Sequence, residues 1–358
     1  MKEVKVGVVG LGRFGRLHAR ILSELPGCRV GALCETDEPT LNRCGEEYSV
    51  GALYTNLEAM LRSGDLDAVD VVTDESAHGG QAMLCLEHGK AVFVEKPLAT
   101  DGDEAEAVSR MSRDTGLPVV VGNISRFDAR YAVLRRELEA GRFGRVALVQ
   151  AKRSFSRAWF AGFGSRVHPV FESMIHDLDL ALWYLPSPIR RVYAQSYSTG
   201  DGDGVPNGVP NTLVATLTAE DGALAVLQST WLVPDAAPIT LAGPPAGPLD
   251  LWGTIDAQLE VVGTSQVGKV DLTADGLSLW DDSAVRTPDT GLWPEVHGRV
   301  SGALREELSH FLDCVRTGKH STLVSPENGA AAVRLAEAIV RSSQKDEAVS
   351  LPEAGGRG

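Results

Sequence analysis

The sequence predicts an α/β N-terminal domain of the Rossmann kind, with a doubly wound parallel sheet, followed by an α+β C-terminal domain with a mostly antiparallel sheet. Three observations carry this expectation. Short apolar runs alternate with helical patterns over the first 122 residues, a glycine cluster joins the first run to the first helical pattern, and after Gly122 longer strand-like runs follow one another across tight turns. Strand–helix alternation implies right-handed crossovers and hence a parallel sheet, whereas strands joined by short turns must run antiparallel.

Val4–Val9 is a β-branched run and predicts the first strand, with the helix-like stretch Arg16–Leu25 behind it. Arg29–Cys34 reads as a strand, Asn56–Leu61 as part of a short helix and Ala68–Val72 as the next strand. Gly79–His88 is helical, Ala91–Val94 a strand, Asp103–Arg113 a helix and Pro118–Gly122 again a strand. Beyond it, Ala132–Leu138 and Phe171–Leu185 read as helices. The runs Val146–Phe155, Arg191–Tyr197, Thr212–Thr218, Ala223–Leu232, Gln258–Val262, Lys269–Leu272 and Leu277–Trp280 read as strands. Asp-Gly turns separate several of them, as in Glu220-Asp221-Gly222 and Ala274-Asp275-Gly276, and the Pro/Gly/Ala-rich stretch Pro234–Pro248 predicts an irregular loop. Two helices, Gly302–Thr317 and Pro326–Ser343, close the pattern, the second with Ser325 as N-cap and Pro326 at its first position. The expected organisation is a dinucleotide-binding domain over 1–122, a substrate and oligomerisation domain over 123–343 whose last helices pack back on the first domain, and a frayed tail over 344–358.

Composition excludes several classes. The 358 residues carry 34 Lys+Arg against 48 Asp+Glu, a formal net charge of −14, which argues against a nucleic-acid or anionic-membrane partner because both need a basic face. No run of about 18 apolar residues occurs, and the opening MKEVKVGVVG enters a strand pattern at once, so neither a membrane span nor a secretory signal is expected and a cytoplasmic setting is. The cysteines at 28, 34, 44, 85 and 314 are odd in number and match no zinc spacing; they are expected as buried apolar side chains, and no metal site is expected.

Gly10-Leu11-Gly12-Arg13-Phe14-Gly15 follows a strand directly and opens a helix, the context that a dinucleotide fingerprint requires. Gly10 permits the tight turn, Gly12 lets the backbone approach a pyrophosphate and Gly15 lets helix and strand pack closely, with Arg13 and Phe14 completing the cofactor-binding loop. Glu35 lies at the end of the second strand, 20 residues after Gly15, where a carboxylate accepts hydrogen bonds from ribose hydroxyls and repels a 2′-phosphate; this favours NAD over NADP. Asp37 competes for that role, and Arg43 is expected on a solvated helix position.

Ala91–Val94 runs into Glu95-Lys96-Pro97, so Lys96 is expected to emerge beyond the carboxyl end of a parallel strand, where ligands bind. A lysine there can hydrogen-bond a substrate oxygen and stabilise alkoxide character. The stretch Phe171–Leu185 lies between Pro169 and Pro186, and on a helical period Glu172, His176, Asp179 and Trp183 share one stripe. Glu172 and His176 form an i,i+4 pair, and an imidazole oriented by a carboxylate is a competent general base for an alcohol proton. A helix-surface salt bridge accounts for the same pair equally well.

These motifs occur in an order that resembles the Gfo/Idh/MocA oxidoreductase family. The fingerprint comes first, followed by Thr73-Asp74-Glu75-Ser76-Ala77-His78, Glu95-Lys96-Pro97, Asn123-Ile124-Ser125-Arg126-Phe127 and His176-Asp177-Leu178-Asp179. The resemblance runs from Val4 to about Ser343 and departs from the family at Asp74, where proline is usual. It implies a Rossmann domain paired with an antiparallel α+β domain, hydride exchange at secondary hydroxyls of sugars or cyclitols, and assembly into homodimers or homotetramers. In the inositol-dehydrogenase-like members a lysine, an aspartate and a histidine are catalytic. Lys96 and His176 carry over, and Glu172 stands at the aspartate position. The resemblance also places Thr73, His78, Glu95 and Lys96 beside the cofactor, and Lys96, Glu172 and His176 toward substrate; Arg126, which follows the last Rossmann strand, is expected to reach into the cleft toward substrate, with structural pairing as the equal alternative.

The expected function is that of an NAD-dependent dehydrogenase. It would oxidise a secondary ring hydroxyl of a sugar, amino sugar, aminoglycoside or cyclitol, reversibly and without a metal. The −14 charge and the 234–248 loop make an aminoglycoside of antibiotic biosynthesis the refined expectation. Two alternatives stand beside it: an NAD-dependent glycoside hydrolase working by transient oxidation, and a non-catalytic NAD(H)-binding sensor.

Overall fold

Six parallel strands make the first sheet of the computed structural model, which describes residues 3–63, 65–157, 166–199, 209–234, 239–241, 255–273, 277–280, 282 and 285–352. The elements run β1 (Val4–Val9), α1 (Arg13–Glu24), β2 (Cys28–Cys34), α2 (Glu38–Glu47), β3 (Leu53–Tyr54), α3 (Leu57–Ser63), β4 (Ala68–Val71), α4 (His78–Glu87), β5 (Ala91–Glu95), α5 (Gly102–Thr115) and β6 (Val119–Gly122). Their order in the sheet is β3-β2-β1-β4-β5-β6, and every neighbouring pair is parallel. The order reverses between β1 and β4, and the loops after those strands border the crevice where such sheets take ligands. Helices cover both faces, so β4, β5 and β6 are buried at every residue, which is why they read as largely apolar runs, with Asp70 and Glu95 as the buried charged exceptions.

Contacts divide the described residues into two compact units. One holds residues 3–127 and Gly291–Val333; the other holds 128–241, 255–290 and 334–352. In the first unit the helix Ala303–Thr317 places Leu304, Leu308, Phe311 and Leu312 in one core with Val6, Val8, Ile21, Leu22 and Phe93. Phe93 and Phe311 meet edge-on with ring centroids 5.7 Å apart.

The second unit is built on a seven-stranded sheet in the order Val267–Asp271, Ile255–Gly263, Val146–Ser156, Leu224–Val233, Thr212–Ala219, Ile189–Tyr197 and Val349–Ser350. Neighbours are antiparallel except Val146–Ser156 with Leu224–Val233, which run parallel. The strand Thr212–Ala219 alternates, with Leu213, Ala215, Leu217 and Ala219 buried and Val214 exposed. Tyr184, at the end of the helix Ile175–Tyr184, donates its hydroxyl to the Tyr131 carbonyl at 2.8 Å, joining that helix to Ala129–Glu139.

The structure corrects two expectations at the chain's margins. Residues 344–352 are not frayed: the last helix continues to Lys345, and Val349–Ser350 adds an edge strand to Ile189–Tyr197. Ser342 Oγ accepts the Ala194 N–H and donates to the Glu347 carbonyl, holding the return. Within the expected loop Pro234–Pro248, Ile239–Leu241 pairs in parallel with Val285–Pro288, while 235–238 and 242–248 lie outside the described residues, as does Ala274-Asp275-Gly276. Among the described residues no helix is long and apolar enough to cross a membrane.

Candidate active site

The glycine loop after β1 has the backbone that its sequence demands. Gly10 sits at φ +87°, where a Cβ would lie 2.3 Å from the Val72 carbonyl oxygen, and a Cβ on Gly15 would lie 1.9 Å from the Gly10 carbonyl oxygen. Side chains at either position would drive the loop and α1 apart. Gly12 is different: a Cβ there meets nothing within 4 Å, so its glycine leaves an open approach to the backbone. No side chain caps α1, so its first N–H groups face that approach, as a pyrophosphate cradle requires. Arg13 is exposed, and Phe14 is half-buried against the His18 and Trp293 rings, at 4.8 Å and 5.5 Å between centroids.

Glu35 closes the cradle. Its Oε2 accepts the Leu11 N–H at 2.8 Å, and its Oε1 accepts the Asp37 N–H and the Thr36 hydroxyl, both at 3.1 Å. Partial burial alone would raise its pKa, but these donors prevail and hold the carboxyl below the usual glutamate range. Asp37 does not compete: its side chain accepts the Thr40 N–H at 3.0 Å as N-cap of α2. Arg43 is exposed and donates to Thr40.

The loops after β4 and β5 leave the same carboxyl edge of the sheet. Thr73 donates its hydroxyl to Gln81 at 2.6 Å. His78 is 1% exposed, its Nδ1 2.7 Å from the Pro97 carbonyl oxygen and its Nε2 3.2 Å from the Thr73 carbonyl oxygen. The expectation of a cofactor contact at His78 is therefore corrected: the ring is buried between the two loops, and because burial lowers its pKa the neutral imidazole donates to one of the two carbonyls. Glu95 also turns inward rather than toward a cofactor. Its Oε2 accepts the Lys96 N–H at 3.0 Å and its Oε1 lies 3.5 Å from His18 Nε2. Lys96 follows β5 directly, is half-exposed between buried neighbours, and is joined to Pro97 by a cis peptide. Arg126 is corrected as well: it is 3% exposed and donates to the Leu323 carbonyl at 2.6 Å, a tie within the first unit in place of a substrate contact.

In the second unit, Glu172 and His176 do not sit on one uniform α-helix. Val170–Met174 winds as a π-helical turn and continues into the α-helix Ile175–Tyr184, so the i,i+4 stripe of the straight-helix reading is broken between them. Such insertions recur at functional sites. Ser173 fixes the turn: its Oγ lies 2.8 Å from the Pro169 carbonyl oxygen and 2.8 Å from Ser229 Oγ, and it accepts the Trp231 indole N–H at 2.9 Å. Arg153 donates through Nε and NH2 to Asp177 Oδ1, fixing the next turn. From 169 to 181 every residue is buried except His176. His168 Nδ1 accepts the Val170 N–H at 3.3 Å, and burial pushes its pKa down to about 4.

Comparison with known proteins adds to this geometry. The oxidoreductase-family NAD-binding Rossmann model matches residues 4–123, and the GFO/IDH/MocA C-terminal domain model matches 131–266. The chain belongs to the Gfo/Idh/MocA oxidoreductase family. It is an NAD-dependent oxidoreductase whose Rossmann domain binds NAD, and the open Gly12 cradle and the Glu35 carboxylate fit that cofactor.

Among Gfo/Idh/MocA relatives, scyllo-inositol 2-dehydrogenase (NAD(+)) of Bacillus subtilis is 26% identical over 319 residues, covering 88% of this chain and 87% of that protein. The inositol 2-dehydrogenase/D-chiro-inositol 3-dehydrogenase of Lacticaseibacillus casei is 27% identical over 360 residues, covering 98% and 96%. Scyllo-inositol dehydrogenase from Lactobacillus casei, solved with NAD(H) and scyllo-inositol, shares the fold at TM-score 0.80 and 21% identity, covering 98% of this chain and 99% of that one. GenD2 from gentamicin A biosynthesis, solved with NAD, does so at TM-score 0.79 and 21% identity, covering 98% and 97%. Sequence reasoning missed the buried partners of His18, which lie in separate elements, and Trp293, which no local pattern announces. It also missed the π turn, whose residues read as ordinary helix.

Proposed function

We propose that the chain oxidises a secondary hydroxyl on a cyclitol or amino-sugar ring to the ketone, reversibly, with NAD⁺ as hydride acceptor. His176 carries the reading: it is the one accessible residue in a helix segment otherwise buried, and an imidazole titrates in the range that alcohol deprotonation needs. Bound NAD⁺ supplies the hydride acceptor, so the carbinol C–H leaves as hydride while the hydroxyl proton passes to the protein. His176 takes that proton through its imidazole, Lys96 Nζ donates to the same oxygen and stabilises its alkoxide character, and Glu172, on the π turn before His176, completes the set as a substrate contact or as structural support. The cofactor is held by the Gly10–Gly15 loop and Glu35. The inositol dehydrogenases among the relatives support a polyhydroxylated ring as substrate.

Within that class the net charge of −14 favours a cationic ring, an amino cyclitol or aminoglycoside. We also propose a homodimer or homotetramer formed through the open face of the second sheet, where Val214, Leu224 and Val267 are exposed. The test is NADH formation with scyllo-inositol, myo-inositol, hexoses and aminoglycosides at low and high salt. A cationic substrate should lose apparent affinity as salt rises, and a neutral one should not. Release of an aglycone with no NADH accumulation would replace the dehydrogenase reading with the hydrolytic one.

A further inference from the structure

We propose that His18, buried on α1, is a positioning residue for Lys96 and acts through the Glu95 carboxylate. The proposal rests on the reading above, in which Lys96 serves the reacting oxygen.

The arrangement is built from four elements of the first unit. His18 is 0% exposed, enclosed by the Phe14 and Phe93 rings at 4.8 Å and 5.5 Å. Its Nδ1 lies 3.1 Å from Asp70 Oδ2 on β4, and its Nε2 lies 3.5 Å from Glu95 Oε1 at the end of β5. The other Glu95 oxygen accepts the Lys96 backbone N–H. At the end of β6, Gly122 supplies the space: a Cβ there would lie 2.5 Å from Glu95 Oε1. The geometry therefore runs from Asp70 through His18 and Glu95 to the backbone of Lys96, with a hydrogen bond at Asp70 and at Lys96 and an ion-pair contact between His18 and Glu95.

Two buried carboxylates around one imidazole are stable only when the imidazole is charged, because unpaired buried charges are costly. The groups acting on Glu95 are His18 and Lys96, which favour its ionised form, and Asp70, which opposes it. Burial dominates and pushes the Glu95 pKa up to about 7, while the two carboxylates outweigh burial at His18 and raise its pKa. Ionised Glu95 grips the Lys96 N–H with a charge-assisted bond, stronger than a neutral one, and sets a negative charge one residue from the ammonium. Protonation of Glu95 loosens both effects. A histidine used only for packing has no need of two carboxylates.

Three variants separate these roles. His18→Asn keeps a donor for Asp70 but does not reach Glu95. It should lower kcat at least about tenfold with NAD affinity unchanged, since small misplacements at a reacting centre are costly. The acidic limb of its kcat–pH profile should move to higher pH, because Glu95 loses the charge that favours its ionisation. Glu95→Gln keeps the acceptor for the Lys96 N–H without the charge and should remove the Glu95 component of that limb, leaving the one set by His176. Gly122→Ala displaces the carboxylate and should reproduce the His18→Asn defect. A merely structural role predicts lowered Tm with the pH profile unmoved, and that result overturns the proposal. A second readout does not need turnover: after reductive ¹³C-methylation, the Lys96 signal should titrate differently in wild type and His18→Asn. If it does not, the proposal fails even where the dehydrogenase reading stands; if it does while no substrate yields NADH, the dehydrogenase reading alone has failed.

Discussion

Glu35 Oε2 accepts the Leu11 N–H at 2.8 Å, so the acidic end of β2 is tied to the backbone of the glycine loop after β1. The ribose-binding carboxylate and the pyrophosphate cradle are thus one piece of structure, already set before a cofactor arrives. Glu35 is also held ionised by its donors, which keeps its repulsion of a 2′-phosphate present at neutral pH.

NAD⁺ should accordingly bind at least about tenfold more tightly than NADP⁺, roughly 1.4 kcal/mol. Glu35→Ser should narrow that ratio from both sides, weakening NAD⁺ and admitting NADP⁺. Calorimetry with both cofactors decides this, and equal affinities in the wild type would remove Glu35 from the role.

Gly12→Ala and Gly15→Ala should behave oppositely. The Gly12 Cβ has open space, so the variant should keep its stability within about 0.5 kcal/mol, as surface substitutions do, yet lose NAD⁺ affinity by at least about tenfold. The Gly15 Cβ would collide with the Gly10 carbonyl, so that variant should be destabilised or fail to accumulate. Thermal melts with and without NAD⁺ separate the two effects.

Lys96→Met and His176→Ala should each reduce kcat by about 10²–10⁴-fold, or roughly 3–5 kcal/mol of barrier. Glu172→Gln should cost less if that carboxylate only orients the imidazole. NAD⁺ affinity in His176→Ala should stay near wild type. Near-normal kcat in that variant sinks the proton-transfer assignment.

His168 makes stability depend on acid. The unfolded imidazole binds a proton near pH 6.5, whereas burial delays this to about 4 in the folded chain, so acidification favours unfolding across that window. The contribution is complete above pH 6.5 and lost progressively as pH falls to about 4, to a limit of about 3 kcal/mol. His168→Asn offers the Val170 N–H an oxygen without a titrating group, and should flatten this part of the stability–pH curve measured by urea unfolding. An unchanged slope would contradict the assignment.

Much of the first unit was legible because its strands are buried on both faces and its glycines have strict steric duties. Val4–Val9 coincides with the observed strand, and Lys96 follows β5 as its position implied. The helix Glu38–Glu47 was legible only at Arg43, and its bounds were not, because its face is polar, with Leu41 and Cys44 as its buried apolar anchors; its cap at Asp37 looked instead like a rival to Glu35. His78, Glu95 and Arg126 were misplaced for one shared reason. Sequence places a residue near a site, but whether its side chain faces ligand or protein depends on partners distant in the chain: Pro97 for His78, His18 for Glu95 and Leu323 for Arg126. The π turn was illegible because Val170–Met174 carries the same apolar content as an α-helix, and tertiary hydrogen bonds at Ser173 fix its winding.

The two residues Val349–Ser350 carry a duty out of proportion to their length. They pair with Val192 and Arg191 on the outer rim of the nine-residue strand Ile189–Tyr197, where N–H and C=O groups would otherwise face solvent as a template for another chain. Shortening the protein to Lys345 should therefore show itself first in light scattering, as concentration-dependent sticking between copies, and only afterwards in the melting curve. The last turn of chain works as a selvedge, keeping the weave from catching on its neighbours.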